Sequence, residues 1–369
     1  MDRPLGALTR LLAVLLTASA LLAAPPARAE DPTLVPGSQP ITLPADAPAT
    51  FRLQRTATGS TFHVGLWYVG AGDSVGEGVR VTIGTTPADT GCGSGAVFRP
   101  TLGEPAPLLT TTVSTWTDQP DHPCGTAEEL FVTVGLPSDP ADRGRAATLV
   151  VEEEPPLSTY AFDLLREPAA PTWRPLAADP SAEPARAGTT PADAPLVAAG
   201  SHQVALRAGR PAVLAVAVGW DQSLRVQVDG SAEATVKILG PLLGEDVASS
   251  GPGRAQSHVT SYLHRDSFDP TRAGASLAGD HYVLVELPLG ATPAKVTVTL
   301  AVDGVPGDGV PDYGGPGRVH TGTVAPTESK PTESKGDDGT PVAMWVGAGA
   351  LAVLGVVVLT RRGARVRGR

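Results

Sequence analysis

The residues able to do chemistry are few and scattered. Gly72-Asp73-Ser74-Val75-Gly76 spells the G-x-S-x-G that surrounds the serine of many hydrolases. In α/β-hydrolases that serine stands on a sharp strand-to-helix turn, and the helix behind it supports the oxyanion hole. Here Glu77-Gly78-Val79-Arg80-Val81-Thr82-Ile83 follows, an alternating run that reads as a strand. The G-D-S-G-G of chymotrypsin-like proteases has a glycine where Val75 stands, and His63 is the sole histidine upstream of Ser74. Glycines at 70, 72, 76 and 78 suit the positive φ angles of a long hairpin loop. Ser74 is therefore expected in a loop. No catalytic residue is expected, and the chain is not read as an enzyme.

Metal chemistry fares no better. The seven histidines, His63, His122, His202, His258, His264, His281 and His320, form no H-E-x-x-H. His258 and His264 lie six apart, wrong for one helix face, so only the fold could bring His281 to them. Dispersed surface histidines are expected instead. Asp303, Asp308 and Asp312 punctuate D-G-V-P-G-D-G-V-P-D, which is similar to calcium-binding repeats but lacks their alternate aspartates. Glu152-Glu153-Glu154 reads as a solvated strand end. No metal or cofactor is expected.

Cys92 and Cys124 are the only cysteines and lack the C-x-x-C spacing of a redox pair. In an oxidising compartment they are expected to form one disulfide. It would close a loop of about 30 residues and stabilise the fold by roughly 3–4 kcal/mol in the chain-entropy model.

The ends of the chain specify that compartment. Arg3 and Arg10, the apolar run Leu11 to Ala24 and the small-x-small Ala27-Arg28-Ala29 read as a signal peptide over residues 1–29, cleaved between Ala29 and Glu30. Val342 to Thr360 carries no charge, and its 19 residues reach roughly 28 Å as a helix, the thickness of a hydrocarbon core. Trp345 stands near one end, and Arg361, Arg362, Arg365, Arg367 and Arg369 follow the other, which places that end in the cytoplasm. No LPxTG-type sorting motif precedes the apolar run. The expected topology is a plasma-membrane protein with an extracellular body, one span (342–360) and a basic tail (361–369).

Of 28 basic residues, three lie in the signal segment and five in the tail, whereas only one of 38 acidic residues, Asp2, is lost with them. The exported part thus carries about −17, which argues against nucleic acid or an anionic wall polymer as a direct ligand unless divalent cations bridge them. The absence of asparagine, the scarcity of lysine beside arginine and the abundance of alanine, glycine and proline suit a GC-rich, actinobacterial genome.

Between these ends lie short strand-like stretches: TFRLQR, TFHVGLWYV, VRVTIG, LLTTTVS, ELFVTVGL and AATLVVE in the first half, then HQVALR, AVLAVAV, SLRVQV, TVKIL, HVTSYL, DHYVLVEL and AKVTVTLAV. Each is bounded by Gly, Pro, Asp or Thr, and none shows helical periodicity. They predict an all-β protein of two tandem antiparallel sandwiches, jelly-roll or Ig-like, over 30–160 and 196–303. The Pro/Ala-rich 161–195 reads as a largely unfolded linker with Trp173 as its largest hydrophobe, and 304–341, with its repeated T-E-S-K, as a stalk. The halves share an order: a strand carrying Trp67 or Trp220, a strand of form V-R-V-T-I or L-R-V-Q-V, and a closing doublet. That order suggests a diverged tandem repeat.

The second framework, HQVALRAGRPAVLAVAV with SLRVQV, GDHYVLVELPLG and VTVTLAVDG, resembles β-sandwich segments of actinobacterial surface proteins that accompany von Willebrand factor A domains. It is similar in texture to pre-peptidase C-terminal-type domains. No A domain is present, because Asp221-Gln222-Ser223 continues as Leu224-Arg225 and not as D-x-S-x-S. That departure removes the family's usual ligand site, so adhesion is not carried over; the expected topology and the lack of a catalytic constellation instead point to a non-catalytic surface binding or scaffold protein whose partner is an envelope protein or surface ligand. The competing expectation is an accessory subunit of an export or wall-processing membrane complex.

Overall fold

The computed structural model describes residues 31–72, 75–99, 108–119, 121–305 and 309–313. The first half contributes β1 (Thr33–Leu34), β2 (Gly37–Thr42), β3 (Ala49–Gln54), β4 (Thr61–Tyr68), β5 (Gly76–Gly84), β6 (Gly93–Arg99), β7 (Leu109–Ser114), the short helix α1 (Pro123–Thr126), β8 (Glu129–Val134) and β9 (Ala146–Glu154). These make a five-stranded sheet, β1-β3-β8-β5-β6, and a four-stranded sheet, β2-β9-β4-β7. All pairings are antiparallel except β1 with β3.

Helix α2 (Thr159–Leu164) leads into the second half. There follow β10 (Glu183–Pro184), β11 (Gly200–Leu206), β12 (Ala212–Val218), β13 (Ser223–Asp229), β14 (Thr235–Leu239), β15 (Ser249–Gly251), β16 (Arg254–Gln256), α3 (Pro270–Ala273), β17 (Gly279–Glu286) and β18 (Ala294–Asp303). Their sheets run β10-β11-β18-β13-β16-β15 and β12-β17-β14. The protein is all-β, with each pair of sheets closed on its own core.

Alternation builds both cores. Phe62, Val64, Leu66 and Tyr68 of β4 meet Val81 and Ile83 of β5, Leu130 and Val132 of β8, and Leu149 and Val151 of β9. In the second half Leu214 and Val216 of β12 meet Leu224 and Val226 of β13, Val283 and Val285 of β17, and Val296, Val298 and Leu300 of β18. Each such side chain gains about 1.5–3 kcal/mol from burial.

Strand β4 departs from simple alternation because both of its faces are covered. The outward residues His63, Gly65 and Trp67 face the second sandwich. A Cβ on Gly65 would sit 2.5 Å from the Leu242 carbonyl oxygen, so only glycine admits that approach. Trp67 packs on Leu108, Val213, Leu239 and Leu284, which come from both halves. The sandwiches are thus one packed body.

Three expectations change here. HVTSYL is not a strand: Ser261 caps a 3-10 turn over Tyr262–Asp266, and Thr260 bonds to the backbone of Asp221 and Gln222. The 161–195 segment is not an unfolded linker but a strap. β10 pairs in parallel with β11, Gly188 bridges Val213 in both directions, and Arg225 holds the Arg174 carbonyl. Trp173 docks under Arg254, 5.1 Å from ring to guanidinium. Proline removes N–H donors, but this strap uses its remaining donors and its carbonyls on a partner edge. Third, the repeat exists at the level of strand order with a one-strand offset from the sequence reading. By sheet position β13 corresponds to β4, so L-R-V-Q-V is not the partner of V-R-V-T-I on β5.

Candidate functional site

The Cys92–Cys124 disulfide is formed. Arg55 reinforces it, donating to the carbonyls of Cys124, Ala127 and Ser60 and stacking 5.3 Å over Phe62. The signal cleavage site at Ala29 and Glu30, the 342–360 segment and Arg361, Arg362 and Arg365 lie outside the described residues. Among the described residues no helix is long and apolar enough to cross a membrane.

Ser74 also lies outside the described residues, but its flanks are placed. They do not form a hairpin, because β4 and β5 belong to different sheets. The loop crosses between sheets and is tied down by Asp142, which accepts the N–H groups of Ala71 (2.8 Å) and Gly72 (3.2 Å). Asp142 is itself fully buried against Arg99 at 2.5 Å and the Tyr68 hydroxyl at 3.3 Å. Of the four loop glycines only Gly76 has a positive φ (102°). Gly72 is required for space, since a Cβ there would collide with the Asp139 carboxylate.

The principal polar site joins the two sandwiches. Glu154, at the end of β9, is 3% exposed. One carboxylate oxygen accepts from Arg265 Nη2 and the Tyr313 hydroxyl, and the other lies 2.9 Å from His63 Nε2. Arg265 stacks 3.5 Å from the Tyr262 ring and donates to the Tyr262 carbonyl at 3.0 Å. Burial alone would raise the Glu154 carboxyl; Arg265, then His63 and Tyr313, reverse this and hold it low. Burial drives the His63 ring below its ordinary value despite Glu154. Glu152, opposite His63 across β4 and β9, is pushed up to about 7 by burial and by Glu154. Glu153 on the other face collects Thr56, Ala57 and Ser60. The acidic triplet is therefore not a solvated strand end. It was unreadable because its partners lie about a hundred residues away.

Two cavities open along this junction. One, of about 320 Å³, is bounded by His63, Ser94, Ser114, Arg265 and Ser276. The other, of about 650 Å³, lies between β6–β7 and the outer face of β14–β17. Leu239, Leu243 and Leu284 line it together with Lys237, Glu286 and the exposed Phe98. An apolar lining with a few polar groups suits a bound ligand.

The fold also gathers histidines that the sequence left dispersed. Asp246, wholly buried, accepts from the His258 N–H at 2.8 Å, contacts His258 Nδ1 at 3.2 Å and lies 3.4 Å from His281 Nε2. His264 sets its ring edge-on to His258 at 6.1 Å, and burial followed by His258 pushes it down to about 4. The expectation of surface histidines fails for His63, His264 and His281, all at most 3% exposed. Among the described residues, no group of three or more His, Cys, Asp or Glu is placed to hold a metal ion. Asp303 is committed to Arg225, and Asp308 lies outside the described residues.

No family model and no curated protein matches this chain. Among solved structures, the CUB1-EGF-CUB2 domain of human MASP-1/3 aligns over 72% of this chain and 99% of its own, at 9% identity and a TM-score of 0.19. The corresponding rat MASP-1 domains align over 73% and 98%, at 9% identity and 0.18. The turret protein A223 of Sulfolobus turreted icosahedral virus aligns over 72% and 98%, at 7% identity and 0.12. Superpositions this loose carry no argument. Fold and site together define an all-β protein of two packed sandwiches, disulfide-bonded in the first, with a cleft between them.

Proposed function

We propose that this chain is a membrane-anchored cell-surface binding or scaffold protein, non-catalytic, held by a single C-terminal span with its tail in the cytoplasm. Its body is two jelly rolls. The strand orders β2-β9-β4-β7 against β3-β8-β5-β6, and β11-β18-β13-β16 against β12-β17-β14, support that reading, since each half alternates its strands between two sheets in the same sequence. The observation that carries the function is the lined cleft between the halves, where both contribute walls and a buried ion network fixes their approach. An envelope protein or surface ligand would be received there.

The test is crosslinking in intact cells, purification and mass spectrometry, with a variant whose 342–360 segment is replaced by an unrelated span. Partners retained by the variant place recognition in the sandwiches. Partners lost with the native span favour the accessory-subunit reading, in which the span makes the contacts.

A further inference from the structure

The arginines of this protein are almost all engaged. Among the described residues, all but four donate a side-chain hydrogen bond, close an ion pair or stack on a ring. Three of those four, Arg186, Arg207 and Arg210, line one concavity of about 260 Å³. They come from two segments that backbone bonds pin side by side. Arg207 and Arg210 bracket the β11–β12 turn, closed by the Arg210 N–H on the Arg207 carbonyl at 3.2 Å with Gly209 at φ 65°. Arg186 sits on the Pro-rich strap between two anchors: Ala185, bonded to Gln203 at 2.8 Å, and Gly188, bonded to Val213 at 2.9 and 3.0 Å.

The rest of the wall is small: Ala185, Ala187, Gly188, Ala205 and Ala212 leave the three guanidinium side chains as its only long groups. None of the nearby acids of the same segment lines the pocket: Asp193 is bound by Thr189 and Thr190, Asp179 by Ser181, and Glu183 lies on β10 outside its wall. Three unpaired cations held together in an exported part of about −17 oppose the overall field, and their mutual repulsion favours an anion between them.

We propose that the Arg186–Arg207–Arg210 pocket binds a phosphate-type oxyanion, free or carried on a larger molecule. The planar donor fork of arginine matches phosphate oxygens in pairs, which a lysine cannot do. The proposal stands apart from the inter-sandwich cleft and from the membrane anchor.

The test is titration calorimetry on the full chain in neutral detergent at low ionic strength, with inorganic phosphate, methyl phosphate and dimethyl phosphate as probes. Saturable binding of at least one is expected, weakening as salt rises. Each of Arg186→Ala, Arg207→Ala and Arg210→Ala should weaken it about tenfold, the effect of losing one charge-assisted contact. The triple variant should lose it, and Arg207→Lys should fall between. Tightest binding of inorganic phosphate points to a free anion, and preference for either ester points to a phosphate on a larger molecule. No saturable binding of any probe, or single and triple variants that bind as the parent does, overturns the proposal. Thermal melts of the variants should match the parent, because no intramolecular partner is removed.

Discussion

The two sandwiches share a strand order and close themselves differently. The first completes its sheet with β6, which is followed by Cys124 clamped to the β6 entry at Cys92, with Arg55 bound across that junction. In the second, no strand among the described residues takes the position of β6: β15 pairs with β16 in the opposite sheet, and β14 is left as an edge. Around that edge gather Asp246, whose N–H bonds the Ile238 carbonyl, and three histidines. The first half adds a covalent link to its buried Arg99–Asp142–Asp139 ion pairs, whereas the second gathers buried histidines around Asp246 at its open edge. The junction between them uses the same device, a buried ion network on His63, Glu154 and Arg265.

The sharpest way to break this comparison is to cut the junction. Glu154→Ala would leave Arg265, at 2% side-chain exposure, without its counter-charge. Removing one partner of a buried pair costs about 3–5 kcal/mol. Chemical denaturation should show that loss, with the two halves no longer unfolding together. The paired change Glu154→Leu with Arg265→Met should recover much of it, since no charge is stranded. If the paired variant is as unstable as Glu154→Ala, the network is not the source of the coupling.

Reduction tests the first half alone. Cys92→Ser with Cys124→Ser opens a loop spanning a sequence separation of 32, and the chain-entropy model places the loss at roughly 3–4 kcal/mol. Amide exchange should rise in β5, β6 and β8 while β12 and β17 stay protected. Equal loss in both halves would mean that the sandwiches have no independent stability.

Most strands were legible because a half-buried strand writes its alternation locally. TFRLQR, ELFVTVGL and AATLVVE became β3, β8 and β9 within two residues at each end. β6 was missed because its Gly93-Ser94-Gly95 has little side chain to alternate; Cβ atoms on Gly93 and Gly95 would strike the Ser114 and Thr112 carbonyls. The junction was hidden for a different reason. His63 on β4, Glu154 on β9 and Arg265 on a 3-10 turn carry no shared spacing, and only strand order brings them together. A partial signal was present in TFHVGLWYV, whose unbroken apolar run matches a strand buried on both faces.

Acid should distinguish the halves next. His264 is held down to about 4, first by burial and then by His258, and burial also lowers His63. A histidine with a depressed folded value contributes stability above its unfolded pKa of about 6.5, and that contribution is lost as pH falls toward the folded value. The His264 contribution should therefore fall by about 2 kcal/mol between pH 7 and pH 4.5. Glu152, raised to about 7, has the opposite sign: its contribution is present below the carboxylate range and fades as pH rises through 7. Melts across this range should flatten in His264→Gln and steepen in Glu152→Gln. An unchanged acid slope in His264→Gln would remove the second half from the account of pH sensitivity.

The smallest effect concerns the strap. Trp173 is held over Arg254, and Leu176 donates its N–H to Gln227 at 2.9 Å. A cation–π contact of this exposure contributes about 0.5–1 kcal/mol. Trp173→Ala should therefore barely move the melting curve, yet it should sharpen limited proteolysis at residues 166–178, where local opening and not global unfolding sets the rate. The bridge at Gly188 should keep the downstream strap, including Arg186, in place. Cleavage confined to 166–178 would describe a strap anchored in two independent places. Cleavage spreading to 186–195 would mean that Trp173 pins the whole segment, and the arginine pocket would then loosen with it.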